Sequence, residues 1–178
     1  MNEEERRREP ETLFETPLFR VVRKSYATPD GRTHVRQIVC HPGAVAILPI
    51  LDDGRICLIE NFRITAGRTL LELPAGTREP NEEPIETARR ELTEETGYRA
   101  GRIEPINRFF MSPGVLDERM HLFLATQLTP GAQDLQGGEQ IAPRLVAWEE
   151  AVRLIREGTV QDAKTLVGLL YYALFLQE

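Results

Sequence analysis

The sequence predicts an α+β protein in which a mixed β-sheet is sandwiched between helices. Strand-like segments come first along the chain, followed by one helix, further strands and two closing helices, an order typical of this class. The 178 residues, 41% of them hydrophobic, are enough to bury a core without disulfide bonds. We expect the main domain to span residues 43–178.

The N-terminal region divides into two parts. Residues 1–17 are dense in charge and are expected to form a flexible tail. Residues 18–42 contain two β-rich segments separated by Pro29, Asp30 and Gly31, residues that favour a turn. This pattern predicts an antiparallel β-hairpin.

The next segments are apolar strands. Residues 44–51 and 55–62 flank the turn-forming sequence Asp-Asp-Gly, which predicts a second, largely buried hairpin. Later strands are expected at 102–110, 119–128 and 145–148.

The first helix is expected to run from Pro84 to Thr96. Proline is favoured at the first position of a helix, and Gly97 is a typical C-terminal stop, whereas Glu83 is a poor N-cap.

Two helices close the chain. In residues 148–158 the spacing predicts a buried face made by Val152, Ile155 and the stem of Arg156. Residues 162–176 are apolar nearly all round, so this helix needs burial against the sheet or against a second subunit.

Charge and composition exclude several function classes. The net charge of −6 and the pI near 5.3 disfavour nucleic acid and anionic membranes as partners, because these need clustered basic surfaces. The N-terminus has no apolar segment typical of a signal peptide, and no apolar run reaches membrane-spanning length. Cys40 and Cys57 lack metal-ligand spacing and are expected to be buried hydrophobes. A cytoplasmic protein is therefore expected.

The first helix carries an unusual group of acids. Glu91, Glu94 and Glu95 project from a common side of a helix. Like charges at this spacing cost about 0.2 to 0.5 kcal/mol per pair. A solvated acidic face is the simpler interpretation, but a hard divalent cation such as Mg²⁺ would remove the repulsion.

The residues around these acids resemble a known family motif. Gly76, Glu82 and the run from Arg90 to Tyr98 match the Nudix box, G-x5-E-x7-R-E-U-x-E-E-x-G-U, where U is bulky and apolar. Tyr98 is aromatic where an aliphatic residue is usual, which affects packing rather than chemistry. The resemblance implies the Nudix fold from about Leu18 onward.

The resemblance also implies roles for the motif residues. It implies that Mg²⁺, with Mn²⁺ as a substitute and two or more ions in all, assists hydrolysis of a nucleoside diphosphate linked to another group. The implied metal ligands are Glu91, Glu95, Glu94 and the backbone carbonyl of Ala75. Arg90 would orient the acids, Gly76 would let the backbone approach the metals, and Glu82 would hold the loop.

Two flanking segments resemble the ADP-ribose pyrophosphatase branch of this family. They are residues 71–76 and the Ser112-Pro113-Gly114 segment, in which Pro113 lies fifteen residues past Tyr98. The implied substrate contacts are Arg63, Glu72, Ser112, Gly114 and Glu118, with Phe19 or Arg36 reaching the nucleotide of a partner subunit. Arg63 is a planar donor suited to gripping a diphosphate, although a surface arginine at a strand end is the competing interpretation.

The same branch implies a reaction and an assembly. Water would attack one phosphorus of ADP-ribose to give AMP and ribose 5-phosphate, and a glutamate would accept its proton. Glu139, in the glycine-containing loop 131–140, is the expected catalytic base, with an exposed loop glutamate as the alternative. The N-terminal strands are expected to build a homodimer.

Other functions stay open at this stage. A related diphosphatase would cleave ADP-glucose, GDP-mannose or a dinucleotide, and another class of enzyme would cleave nucleoside triphosphates. A protein that senses a nucleotide sugar without catalysis is a third alternative, although such a protein is expected to have lost acids of the box.

Overall fold

The computed structural model describes residues 10–177. The strands are β1 (Glu11–Glu15), β2 (Arg20–Ala27), β3 (Thr33–Cys40), β4 (Ala44–Pro49), β5 (Ile56–Arg63), β6 (Arg68–Glu72), β7 (Ala75–Thr77), β8 (Arg99–Phe110), β9 (Arg119–Thr129) and β10 (Ile141–Val146). The helices are α1 (Pro84–Thr96), α2 (Trp148–Arg156) and α3 (Ala163–Phe175).

One compact unit contains the described residues up to Gly43 together with Phe110–Arg119. It holds a three-stranded antiparallel sheet in the order β1-β2-β3. Strands β2 and β3 pair along their whole length, from Arg20 opposite Cys40 to Ala27 opposite Thr33. The predicted N-terminal hairpin is therefore present.

The prediction of a flexible tail over residues 1–17 is wrong for residues 11–15. These residues form β1, which pairs with β2 in antiparallel register, with Glu15 opposite Arg20. The local sequence gives no signal for this edge strand, because its five residues are all exposed and do not alternate between apolar and polar. Residues 1–9 lie outside the described residues.

The second unit contains Ala44–Phe109 and the described chain from Met120 onward. Its four-stranded sheet has the order β7-β4-β9-β8, and β4 runs parallel to β9. A three-stranded sheet has the order β10-β5-β6 with antiparallel pairing. The expected mixed sheet is thus confirmed.

The second predicted hairpin is only partly correct. Its turn forms, since the Leu51 N–H donates to the Arg55 carbonyl and Gly54 adopts a φ of 81°. Beyond an isolated bridge between Ile50 and Ile56, β4 and β5 diverge into different sheets. Each strand already pairs on both edges with other strands, so neither edge is free for the other.

Helix α1 has the predicted bounds. Pro84 occupies the first turn, Glu83 makes no side-chain cap, and Gly97 ends the helix with a φ of 76°. The buried residues Ala88 and Leu92 pack on Val45 and Ile47 of β4. This packing fixes α1 on one face of the four-stranded sheet.

Helix α3 covers the other face of the same sheet. A Cβ added at Gly168 would collide with the Leu73 side chain and closely contact Leu122, which pairs with Ala46. Since side chains alternate across a strand, Ala46 and Leu122 face away from α1. The outer side of α3 leaves Leu174 and Phe175 exposed.

Helix α2 buries a different face from the predicted one. Ala151 and Leu154 are buried, whereas Val152 and Ile155 are half-buried and Arg156 is exposed.

No helix within residues 10–177 has the length and apolar character needed to cross a membrane.

Candidate active site

The acids of α1 lie at different depths. Glu91 and Glu95 are 8% and 3% exposed, while Glu94 is half-buried. Because charged carboxylates are rarely buried without compensation, two buried acids one helical turn apart are a strong indication of chemistry at this helix.

Arg90 joins the acids of the motif. Its Nη1 donates to Glu91 at 2.7 Å and to Glu94 at 3.1 Å, and its Nε and Nη2 donate to Glu82 at 3.1 Å each. Hydrogen bonds from Arg90 lower the pKa of Glu82 to about 2. The guanidinium is thus the cation nearest to three of the acids, and Glu82 also fixes the preceding loop by accepting from the Glu79 N–H.

Glu95 faces the segment before the helix. Its carboxylate accepts a 2.7 Å hydrogen bond from the Ala75 N–H. Burial raises its pKa to about 8 against this hydrogen bond, and the charge of Glu91 adds to the rise. Burial also raises the pKa of Glu91. The backbone at Gly76 lies so close to Glu91 that a Cβ there would overlap the carboxyl group.

The buried acids fit a divalent cation. Taking both carboxylates out of water raises their pKa, and a cation between them would offset that cost. Carboxylate and backbone carbonyl oxygens are also the ligands that Mg²⁺ takes. Within residues 10–177, no group of three acidic, histidine or cysteine side chains is gathered closely enough to enclose an ion. Glu91 and Glu95, next to Ala75, are the groups best suited to a metal.

Arg63 and Glu72 form an ion pair beside these acids. Glu72, 1% exposed, accepts two hydrogen bonds from Arg63, at 2.8 Å from Nε and 2.6 Å from Nη2. Burial acts to raise the pKa of Glu72, but Arg63 and Lys164 outweigh it and lower that pKa. The side chain of Arg63 remains 39% exposed. Of the two predicted substrate contacts, Arg63 is accessible, whereas Glu72 lies buried behind it.

The loop 131–140 contacts the C-terminal end of α1. The Asp134 N–H donates to the Glu94 carbonyl at 3.0 Å, and the Gln133 side chain donates to the Glu95 carbonyl at 2.6 Å. Glu139 is exposed and accepts from the Gln136 N–H at 2.9 Å. Its charge raises the pKa of Glu91 and of Glu95, so it lies within electrostatic reach of both.

The N-terminal unit contains a separate pocket of about 370 Å³. It is lined by Lys24, Tyr26, Arg36, Ile38, Phe110 and the turn from Pro113 to Asp117. The Arg36 guanidinium lies 5.9 Å from the centre of the Tyr26 ring. The pocket therefore combines cationic and apolar walls, as recognition of an anionic aromatic ligand requires.

Four predicted substrate residues also lie in this unit. Gly114 lines the pocket, and Ser112 begins the same turn by accepting from the Val115 N–H. Glu118 lies 3.7 Å from Nδ1 of His41. Phe19 packs against Phe14, with 6.2 Å between their ring centres, and is not among the residues lining the pocket.

Sequence reasoning missed Lys164, Lys24 and Tyr26. Lys164 is only 7% exposed and contacts Glu72. One local signal was present, since a lysine in the first turn of a helix opposes the helix dipole. Lys24 and Tyr26 gave no such signal, because only strand pairing aligns them with Arg36 and His34.

The chain is similar to known proteins over most of its length. A family model described as NUDIX domain matches residues 41–167. The chain is 39% identical to an ADP-ribose pyrophosphatase of Bacillus subtilis, over 92% of this chain and 90% of that protein. It is 36% identical to a methanol dehydrogenase activator of Bacillus methanolicus, over 98% and 95%.

A solved structure agrees at the level of the fold. The crystal structure of an ADP compounds hydrolase superposes with a TM-score of 0.81 at 24% identity, covering 93% of this chain and 90% of that one. The family match spans well over half of the chain, including α1 and its acids. The protein therefore belongs to the Nudix family.

Proposed function

We propose that this protein hydrolyses the diphosphate of ADP-ribose to AMP and ribose 5-phosphate with the help of Mg²⁺. The observation that carries the proposal is the buried pair of Glu91 and Glu95 against Ala75 and Gly76. The ADP-ribose pyrophosphatase relative supports the choice of substrate.

Nudix proteins generally use a divalent metal, and we assign its ligands to Glu91, Glu95 and the Ala75 carbonyl, with Glu94 beside them. We infer that two or more ions bind and that Mn²⁺ can replace Mg²⁺. When bound, the metal neutralises phosphate oxygens and lowers the pKa of the attacking water. Through its hydrogen bonds, Arg90 holds the carboxylates of Glu91 and Glu94 in position.

The remaining chemistry falls to side chains of the second unit. The exposed edge of the Arg63 guanidinium grips the diphosphate, because a planar, permanently charged donor suits phosphate oxygens. Glu139 accepts the proton of water as its oxygen bonds to phosphorus. The bond from that phosphorus to the bridging oxygen breaks, and the second phosphate leaves with the electron pair.

In a homodimer, the pocket of the N-terminal unit would supply contacts to the nucleotide bound by the partner subunit. Arg36 and Lys24 offer positive charge, and Tyr26 offers an aromatic face. We assign Ser112, Gly114 and Glu118 to substrate contacts as well, as the family resemblance implies. Phe19 is the weaker candidate, because its ring packs against Phe14.

A substrate panel tests the proposed activity. Release of phosphate-containing products with Mg²⁺ is compared for ADP-ribose, ADP-glucose, GDP-mannose and dATP. We expect kcat/KM for ADP-ribose to exceed each other value by at least about tenfold, the order of one well-placed contact. A preference for GDP-mannose or ADP-glucose would move the substrate to a sibling diphosphate sugar. Binding without any cleavage would indicate a sensor.

We also propose that the protein works as a cytoplasmic homodimer. The N-terminal unit exposes Phe14 at 56%, Leu18 at 51% and Val35 at 44%. Stable dimers of this kind bury upward of about 2,000 Å², which exposed apolar strands can supply. Free Cys40 and Cys57 are compatible with a reducing compartment.

Light scattering at micromolar concentration checks the dimer. We expect a mass about twice the 20.3 kDa of one chain, and we expect Val35→Asp to yield a monomer because it buries a charge in the interface. Leu174→Asp, which adds the same charge at an exposed position of α3, is the control and should stay dimeric. A fully active monomer would contradict the proposal.

A further inference from the structure

Lys164 is a buried cation outside the family motif. It lies in the first turn of α3, and its side chain is 8% exposed. Its Nζ is 2.5 Å from Glu72 Oε2 and 3.0 Å from Asp162 Oδ2. A lysine so deeply buried requires paired carboxylates, and the helix dipole disfavours a cation at this end. Contact with Glu72 accounts for its position.

Glu72 lies between two cations that have different surroundings. Arg63 holds it from the exposed side through two hydrogen bonds, and Lys164 holds it from the buried side. Together with Asp162, these residues form a cluster of two positive groups, Arg63 and Lys164, and two negative groups, Glu72 and Asp162. Removal of Lys164 would leave excess negative charge, and Glu72 Oε2, which Lys164 shares with Arg63 Nη2, would keep only its hydrogen bond from Arg63.

The first turn of α3 also holds the backbone next to Glu72. The Leu73 N–H donates to Thr165 Oγ1 at 2.8 Å. The Pro74 carbonyl accepts from the Ile47 N–H, and the Ala75 N–H donates to Glu95. Lys164 and Thr165 therefore hold Glu72 and Leu73, at the start of the segment that leads to the candidate metal site.

We propose that Lys164 is a positioning residue for the diphosphate: it fixes Glu72, and Glu72 in turn aims the Arg63 guanidinium at the substrate. This inference rests on the proposed function, in which Arg63 grips the diphosphate. A guanidinium held by two parallel hydrogen bonds has fewer orientations to lose when substrate binds. Lys164 thus acts through Arg63 without touching substrate.

The test uses Lys164→Met, which keeps the length of the side chain and removes its charge. We expect KM for the preferred substrate of the panel to rise about tenfold with kcat nearly unchanged, the order of one charge-assisted hydrogen bond. Binding of ADP-ribose without metal, measured by calorimetry, should weaken by the same factor. Calorimetry needs no turnover.

A double-mutant comparison separates positioning from a structural role. In an Arg63→Ala background, Lys164→Met should have little further effect on KM or binding, because the group it positions is gone. Equal effects in both backgrounds would overturn the proposal. Asp162→Asn is the matched control: it removes the other ion pair of Lys164, can still cap α3, and should lower the melting temperature without changing KM.

Two outcomes need separate interpretation. If Lys164→Met does not fold, Glu72→Gln provides the same test, since it weakens the grip on Arg63 without adding volume; an unchanged KM there would overturn the proposal. If the wild type binds ADP-ribose but cleaves no substrate, the proposed function fails, whereas the calorimetric coupling between Lys164 and Arg63 still decides the role of Lys164.

Discussion

Replacing Glu95 with glutamine is expected to lower kcat/KM by about three orders of magnitude or more while leaving the fold intact, since a lost metal ligand removes several kcal/mol of charge stabilisation. Glu95 is the most deeply buried acid of α1 and contacts the Ala75 backbone. Glutamine keeps the size of the side chain and removes its charge. Steady-state rates and Mg²⁺ titrations measure both expected losses.

The same substitution should stabilise the metal-free protein at high pH. Burial raises the pKa of Glu95 from 4.5 to about 8 in the folded state. Folding therefore becomes less favourable as pH rises from about 4.5 to about 8, because the unfolded chain releases this proton more readily. In Glu95→Gln this loss is absent. In EDTA, the variant should melt above the wild type at pH 8 and near it at pH 4.

Added Mg²⁺ should reverse this order of melting temperatures. A ligand that binds only the folded state stabilises it, and we expect Mg²⁺ to bind the wild type but not Glu95→Gln. Glu86→Gln is the matched control, since Glu86 is an exposed acid in the first turn of the same helix. It should keep wild-type activity and metal response. A Glu95→Gln protein that melts lower in EDTA at pH 8 but stays active would exclude a metal role for Glu95.

Elements fixed by local chemistry could be predicted from the sequence. The bounds of α1 follow from Pro84 at its start and from Gly97, whose positive φ ends it. The acid pattern of the same helix predicted a place for a cation. The structure adds that Arg90 engages Glu91 and Glu94, a contact at i+1 and i+4 that partly relieves their repulsion.

Elements fixed by distant partners could not be predicted. The turn after β4 looked like a hairpin turn, yet β4 pairs with β9, more than seventy residues later. Strand β1 is a different case: it pairs with the neighbouring strand β2, but its residues are all exposed and show no apolar alternation that would indicate a strand. The link from Lys164 to Glu72 joins residues 92 positions apart, so neither local spacing nor the motif indicates it.

Glu139 is the second residue for which we expect a large effect. The loop that carries it contacts the end of α1 through Gln133 and Asp134, and the charge of Glu139 raises the pKa of Glu91 and Glu95. Its carboxylate is exposed and bonded to the Gln136 N–H. To reach water at the diphosphate, Glu139 would exchange this hydrogen bond for one to the water.

We expect Glu139→Gln to lower kcat at least about a hundredfold with little change in KM, because a base acts mainly in the transition state. Asp134→Asn is the control, since it removes the same charge from the same loop while the Asp134 N–H can still donate to Glu94. It should remain close to wild type in kcat.

Glu118→Gln provides the decisive comparison with Glu139→Gln. Glu118 belongs to the N-terminal unit, follows the Ser112-Pro113-Gly114 turn and lies near His41. If Glu139 is the base, Glu118→Gln should change KM more than kcat, because a substrate contact acts in both the ground and transition states. Near-normal kcat in Glu139→Gln, together with an inactive Glu118→Gln, would instead assign proton transfer to Glu118. Fixed-time product assays at saturating substrate distinguish the two results.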